Sequence, residues 1–247
     1  MSNGWMRSRR ELALFGLLAV LPALAIALVF HLRPWPTPMA QQAALFGWDL
    51  TSIYLLMGAA GVGLSPLTVA PPTPELKDAR RWSWLVVWSL AAGMAYGLSD
   101  LAINHLTSWG AHLAAVDRRN GLSTTFINVR PPWSLPHYFH ASILSECAFR
   151  LGPILGLGGL IGLLVKGRGR EVAFWILAVL AAMIEPLEKA VLLRKWGLFG
   201  ETPIEHLLSA EAIAWQLIYA VLLRRFGWAA PILARFGYYL VVRCFHQ

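Results

Sequence analysis

Residues 135–165 read LPHYFHASILSECAFRLGPILGLGGLIGLLV, an apolar run whose only formally charged members are Glu146 and Arg150. The run exceeds the roughly 20 residues that carry one helix across hydrocarbon. Gly152-Pro153 within it predicts a kink or a break. A charge at the centre of a membrane helix costs roughly 2.5–3.5 kcal/mol on insertion. Such residues persist mainly where they face one another or a wet cavity. Glu146 and Arg150 are four apart, so they share a helical face and are able to pair. Two readings of that pair stay open: an ion pair that fixes helix packing, and a carboxylate held beside a cavity.

Composition extends this reading to the whole chain. Of the 247 residues 57% are hydrophobic and 14% are charged, against about 25% charged in an ordinary soluble domain. The chain therefore reads as all-α, a polytopic transmembrane helical bundle forming a single integral membrane domain over residues 1–247. Twelve Trp suit interfacial aromatic belts. The net charge of +8 comes with no basic run interleaved with aromatics, which argues against a nucleic-acid partner. The implied partner is the lipid bilayer. Cys147 and Cys244, the only cysteines, suggest buried free thiols rather than a disulfide framework.

Seven spans are expected, at residues 12–31, 43–64, 82–103, 135–165, 172–193, 207–223 and 226–245. Arg7, Arg9 and Arg10 before the first one match a retained signal-anchor helix better than a cleaved signal peptide, whose apolar core is usually about 7–15 residues. Pro71-Pro72-Thr73-Pro74 marks a loop, residues 166–170 a short basic turn, and residues 104–132 an interfacial amphipathic segment. With the N-terminus cytoplasmic, eleven Lys and Arg residues fall inside and eight outside; the remaining two are Arg150 and Arg235. This bias favours a cytoplasmic N-terminus in the cell (inner) membrane.

Two further charges, Glu185 and Arg235, lie deep within apolar spans. Glu185 precedes Pro186 late in the fifth, where the bland reading is a carboxylate at headgroup level. Arg235 sits mid-span in the seventh, with Tyr239 four residues on, too deep for easy snorkelling. It requires a buried carboxylate: Glu185 first, then Glu146 or Asp100. His137 and His140 with Glu146 have loose ligand spacing, but i, i+3 and i+9 do not place all three on one helical face. His206 beside Glu201, Glu205 and Glu211 is similarly suggestive and similarly unspecific, and interfacial histidines are commoner than ligands.

The stretch Ser145-Glu146-Cys147-Ala148-Phe149-Arg150 resembles the first motif, Glu-Glu-x-x-x-Arg, of the CAAX-protease and bacteriocin-processing (CPBP, or ABI) family of intramembrane proteases. Ser145 stands where the first Glu, the family's general base, belongs. The second motif, Phe-x-x-x-His, aligns with residues 181–185, where Glu185 replaces His. The third, His-x-x-x-Asn/Asp, aligns with Arg235 and Tyr239. The resemblance implies a CAAX-protease-like helical fold whose carboxylate and histidines activate water for peptide cleavage. Serine is no substitute for a carboxylate base, and arginine offers water or metal no lone pair. The expectation is a catalytically degenerate homologue acting as a scaffold for a membrane-embedded protein or peptide partner, without a cofactor. Two alternatives stand beside it. One is an active intramembrane endopeptidase using Glu146, Glu185 and His206, in which case a metal is possible. The other is a transporter or assembly factor with charged pairs lining a path.

Overall fold

The apolar stretches fold as helices, the conformation in which one segment satisfies its own backbone in hydrocarbon. The computed structural model describes residues 2–32, 48–107, 134–195 and 203–244, with side chains except at 2–4, 30, 188–195, 203–209 and 243–244. Among the described residues there are seven helical rods and no strand. They are α1 (residues 2–32), α2 (Trp48–Leu64, extended by a 3-10 turn at Ser65–Leu67), α3 (Ala79–Leu106), α4 (Ser134–Leu164), α5 (Arg168–Lys195), α6 (Pro203–Phe226) and α7 (residues 229–244). Four segments, Trp5–Val29, Trp48–Leu67, Ala79–Leu106 and Ser134–Leu164, are long and apolar enough to cross a membrane.

Three boundaries differ from the sequence reading. α4 does not break at Gly152-Pro153; it widens into π-type turns over Cys147–Leu157 and runs on as α-helix from Gly158. Pro153 lacks the N–H that would bond one turn back, and wider turns accommodate that loss without interrupting the rod. Phe226 ends α6 rather than starting α7, because Gly227 turns the chain at φ 88°, a conformation glycine adopts without steric cost. Of the expected interfacial segment, Asn104 to Leu106 complete α3, and residues 108–132 lie outside the described residues.

Close helix crossings organise the bundle. α3 lies on α7, where a methyl group on Gly93 would overlap the backbone carbonyl of Ala234. α2 meets the widened part of α4 in the same way, Gly61 against the carbonyl of Leu151. Small residues at such crossings let backbones approach, which is how membrane helices gain packing where lipid removes the hydrophobic drive. Cys147 is a buried free thiol beside Gly58 on this interface.

One end of the bundle gathers the N-terminal turns of α1, the loop after α2, the α4–α5 turn and the α6–α7 turn. Arg7 donates to the carbonyl of Ala70 at 2.6 Å and Arg10 to that of Thr73 at 2.7 Å. Glu11, 1% exposed, accepts from Thr73 N–H (3.1 Å), Thr73 Oγ1 (2.7 Å) and Trp228 Nε1 (3.0 Å). Arg170 closes the C-terminus of α4 through the carbonyls of Val165 (3.1 Å) and Gly162 (2.7 Å), the usual role of a cation where helix carbonyls run out of partners. Arg224 bonds Glu171 (Nη2 to Oε2 3.1 Å), which also accepts from Trp175. The outer surface is apolar: on α5 alone, Val172, Ile176, Leu180, Ile184 and Leu187 are exposed at helical spacing.

Candidate functional site

Four buried charges from three helices meet. Glu146, Arg150, Glu185 and Arg235 are respectively 0%, 2%, 6% and 3% exposed, and none could be held so deeply alone. Glu146 and Arg150 sit one turn apart where α4 begins to widen, and Arg150 donates to Glu146 Oε1. From α7, Arg235 donates Nε to the same oxygen at 3.0 Å. Its other edge grips Glu185 of α5 two-pronged, Nη1 to Oε1 at 2.8 Å and Nη2 to Oε2 at 2.6 Å. Such paired N–H···O bonds are the strongest geometry for a guanidinium and a carboxylate. Two anions and two cations leave the cluster formally neutral.

α6 completes the cluster with two residues the sequence reading did not single out. Gln216, 2% exposed, donates to Glu185 Oε2 at 2.5 Å and turns its own oxygen toward Arg235 at 3.5 Å. Tyr219, fully buried, presents its ring to both guanidiniums, at 4.8 Å from Arg150 and 5.8 Å from Arg235, and donates its hydroxyl to the carbonyl of Ala234 (3.2 Å). Gln216, Tyr219 and Leu223 are all buried. Their i, i+3, i+7 spacing is the signal that would have marked this inward face.

The remaining candidates fall elsewhere. Ser145 is half-buried and takes no part in these bonds. Tyr239 stacks on Tyr138, ring centroids 5.3 Å apart. Asp100 is not a partner of Arg235: it accepts from Tyr238 Oη (2.9 Å) and from Asn104 (3.2 Å). The crossing of Gly93 and Gly97 on α7 carries Asp100 past Arg235, toward the end of the bundle opposite the arginine-rich one. Glu185 is buried within the bundle, where Arg235 holds it. The backbone of His206 lies in the first turns of α6, and its side chain is outside the described ones. His137 and His140 are buried in α4, and among the described residues no three His, Cys, Asp or Glu side chains converge as a metal would require.

Chemically, the cluster can hold charge and fix helices. Both oxygens of Glu185 and one of Glu146 are engaged by guanidiniums. Glu146 Oε2 is buried and has no hydrogen-bond partner among the described residues. Beyond the cluster, away from the arginine-rich end, Tyr96 stacks with Trp215 and Tyr238, Trp215 Nε1 donates to Ser99, and Ser99 donates to Glu211. Toward the arginine-rich end the buried neighbours are mostly apolar, Leu151, Leu155, Phe174, Ala178, Leu223 and Ala230, with the Ser89 hydroxyl of α3 buried one turn before the Gly93 crossing. No family model, curated protein or solved structure matches the chain.

Proposed function

We propose that the protein is a catalytically degenerate relative of the CPBP intramembrane proteases, serving as a membrane scaffold for a protein or peptide partner. The observation that supports this reading is the two-pronged lock between Arg235 and Glu185. Both residues stand where the resemblance calls for histidine, and they bond to each other. Ser145 occupies the general-base position and cannot supply a carboxylate. In this reading all seven rods span the cell (inner) membrane with the N-terminus cytoplasmic, the basic end facing anionic headgroups. The exposed apolar stripe of α5 supports a span there as well.

One observation favours the hydrolase alternative: the second oxygen of Glu146 is buried without a hydrogen-bond partner among the described residues, and such a group calls for explanation. The transport alternative requires a polar track through the bundle, and the apolar layer between the cluster and the arginine-rich end speaks against it. The deciding experiment incubates the purified protein in liposomes with prenylated CAAX peptides. The peptides should stay intact, and Glu185→Ala should change nothing. Turnover that disappears with Glu146→Ala or Glu185→Ala would overturn the scaffold reading in favour of the hydrolase.

A further inference from the structure

A shallow, open groove lies between α1 and α3 at the arginine-rich end, charged at its mouth and apolar along its length. It has two limbs that meet at Leu76, a residue of the loop after α2. The outer limb, about 560 Å³, is lined by Arg10, Lys77 and Glu75 at one side and by Leu14 and Leu17 of α1 at the other. The inner limb, about 620 Å³, runs along Leu18 of α1 and Trp82, Val86 and Val87 of α3.

Chain direction sets the depth of each limb. α1 changes from arginine-rich to apolar between Arg10 and Leu12, so the outer limb opens at headgroup level. From Arg10 to Leu18 the helix rises roughly 12 Å, most of the roughly 15 Å of hydrocarbon in one leaflet. Cations stand at the mouth. Lys77 is 87% exposed and pairs with Glu75 at 3.1 Å, itself 55% exposed. Arg10 commits Nη2 to the carbonyl of Thr73. Arg80 and Arg81 follow at the start of α3, and Arg81 pairs with Asp78 at 3.3 Å. After the local acids are matched, positive charge remains at the mouth and apolar surface beyond it.

The geometry points to a binding site for one anionic phospholipid, its phosphate at Arg10 and Lys77 and an acyl chain lying past Leu76 between α1 and α3. A zwitterionic headgroup satisfies the apolar limb equally but not the unmatched charge at the mouth, so selectivity resides in the headgroup. The inference rests on membrane insertion and is independent of the buried charge cluster.

Native mass spectrometry of the protein released from phosphatidylcholine vesicles doped with phosphatidylglycerol tests it. The wild-type protein should retain phosphatidylglycerol in preference to phosphatidylcholine. Lys77→Glu should lower that retention about fivefold or more, since each Lys or Arg near an anionic surface contributes about that factor. Leu76→Trp should lower it by filling the junction of the limbs. Both side chains are exposed, so neither change threatens the fold. Lys166→Glu, an exposed cation at the same end but outside the cleft, should leave retention unchanged. An equal loss with Lys166→Glu, or no loss with Leu76→Trp, overturns the site. Flotation separates the two levels of failure. A protein that floats with pure phosphatidylcholine vesicles yet shows no headgroup preference sinks this inference alone. One that floats with neither vesicle sinks membrane insertion as well.

Discussion

Arg235 and Glu185 face each other from α7 and α5 across two parallel N–H···O contacts of 2.8 and 2.6 Å, with both side chains all but removed from the surface. Arg235→Leu should cost about 3–5 kcal/mol, because it strands a buried carboxylate. The double change Arg235→Leu with Glu185→Leu should be milder, since it leaves Glu146 still paired with Arg150. Unfolding of the four proteins of the cycle in detergent measures the coupling. Strictly additive effects would show that the pair contributes nothing as a pair.

The Glu11 clamp makes a separate prediction. Glu11→Ala leaves the Thr73 amide and the Trp228 indole N–H buried without an acceptor, at about 1–3 kcal/mol for each. Trp228→Phe spares both Thr73 bonds and should cost less. Amide exchange at Thr73 is the direct probe: it should speed up in Glu11→Ala and stay near wild type in Trp228→Phe.

Two glycines with opposite surroundings test the helix crossings. Gly93→Ala places a methyl group on the carbonyl of Ala234 and should destabilise by about 1–3 kcal/mol or more as α3 and α7 are pushed apart. Gly16 has nothing within 4 Å of an added methyl, so Gly16→Ala should be neutral or stabilise by about 0.5–1 kcal/mol. Thermal midpoints that move alike for both would contradict the close approach.

At the arginine-rich end, hydrogen bonding to the Arg224 guanidinium holds the Glu171 carboxyl below the usual range. A depressed carboxylate contributes stability that is present above its unfolded pKa and lost as pH falls through its folded one. Arg224→Gln should therefore melt slightly below wild type at neutral pH, and the gap should close as pH is lowered through the carboxylate range. The gap should also be small and shrink with salt, because both side chains are more than a third exposed.

The central pairing was legible because a charge in an apolar run must have a partner, and few carboxylates were available to Arg235. Gln216 and Tyr219 were not, since neutral polar residues carry no comparable insertion cost and their spacing is that of any helix face. Asp100 was misplaced because its position depends on how α3 crosses α7, which glycine spacing alone does not reveal. Glu11 escaped notice for another reason. It follows three arginines at the edge of the apolar run, where a solvated carboxylate is the ordinary expectation, and its acceptor role depends on Thr73 and Trp228 far along the chain. The widening of α4 was foreshadowed by Gly152-Pro153, but proline announces only that regular hydrogen bonding fails, not whether the rod bends or broadens.

The clamp between Glu11 and Trp228 joins residues 217 positions apart, and this bears on the order in which the bundle is made. Translation at roughly 5–20 residues per second completes α1 tens of seconds before its indole partner exists. Arg235, the counter-charge for Glu185 and a second one for Glu146, emerges at the same late moment. The nascent chain must therefore shelter three incompletely matched carboxylates, Glu11, Glu146 and Glu185, until Trp228 and Arg235 arrive. Loss of the chain from Trp228 onward would leave the opening turns of the protein and its interior unfinished together.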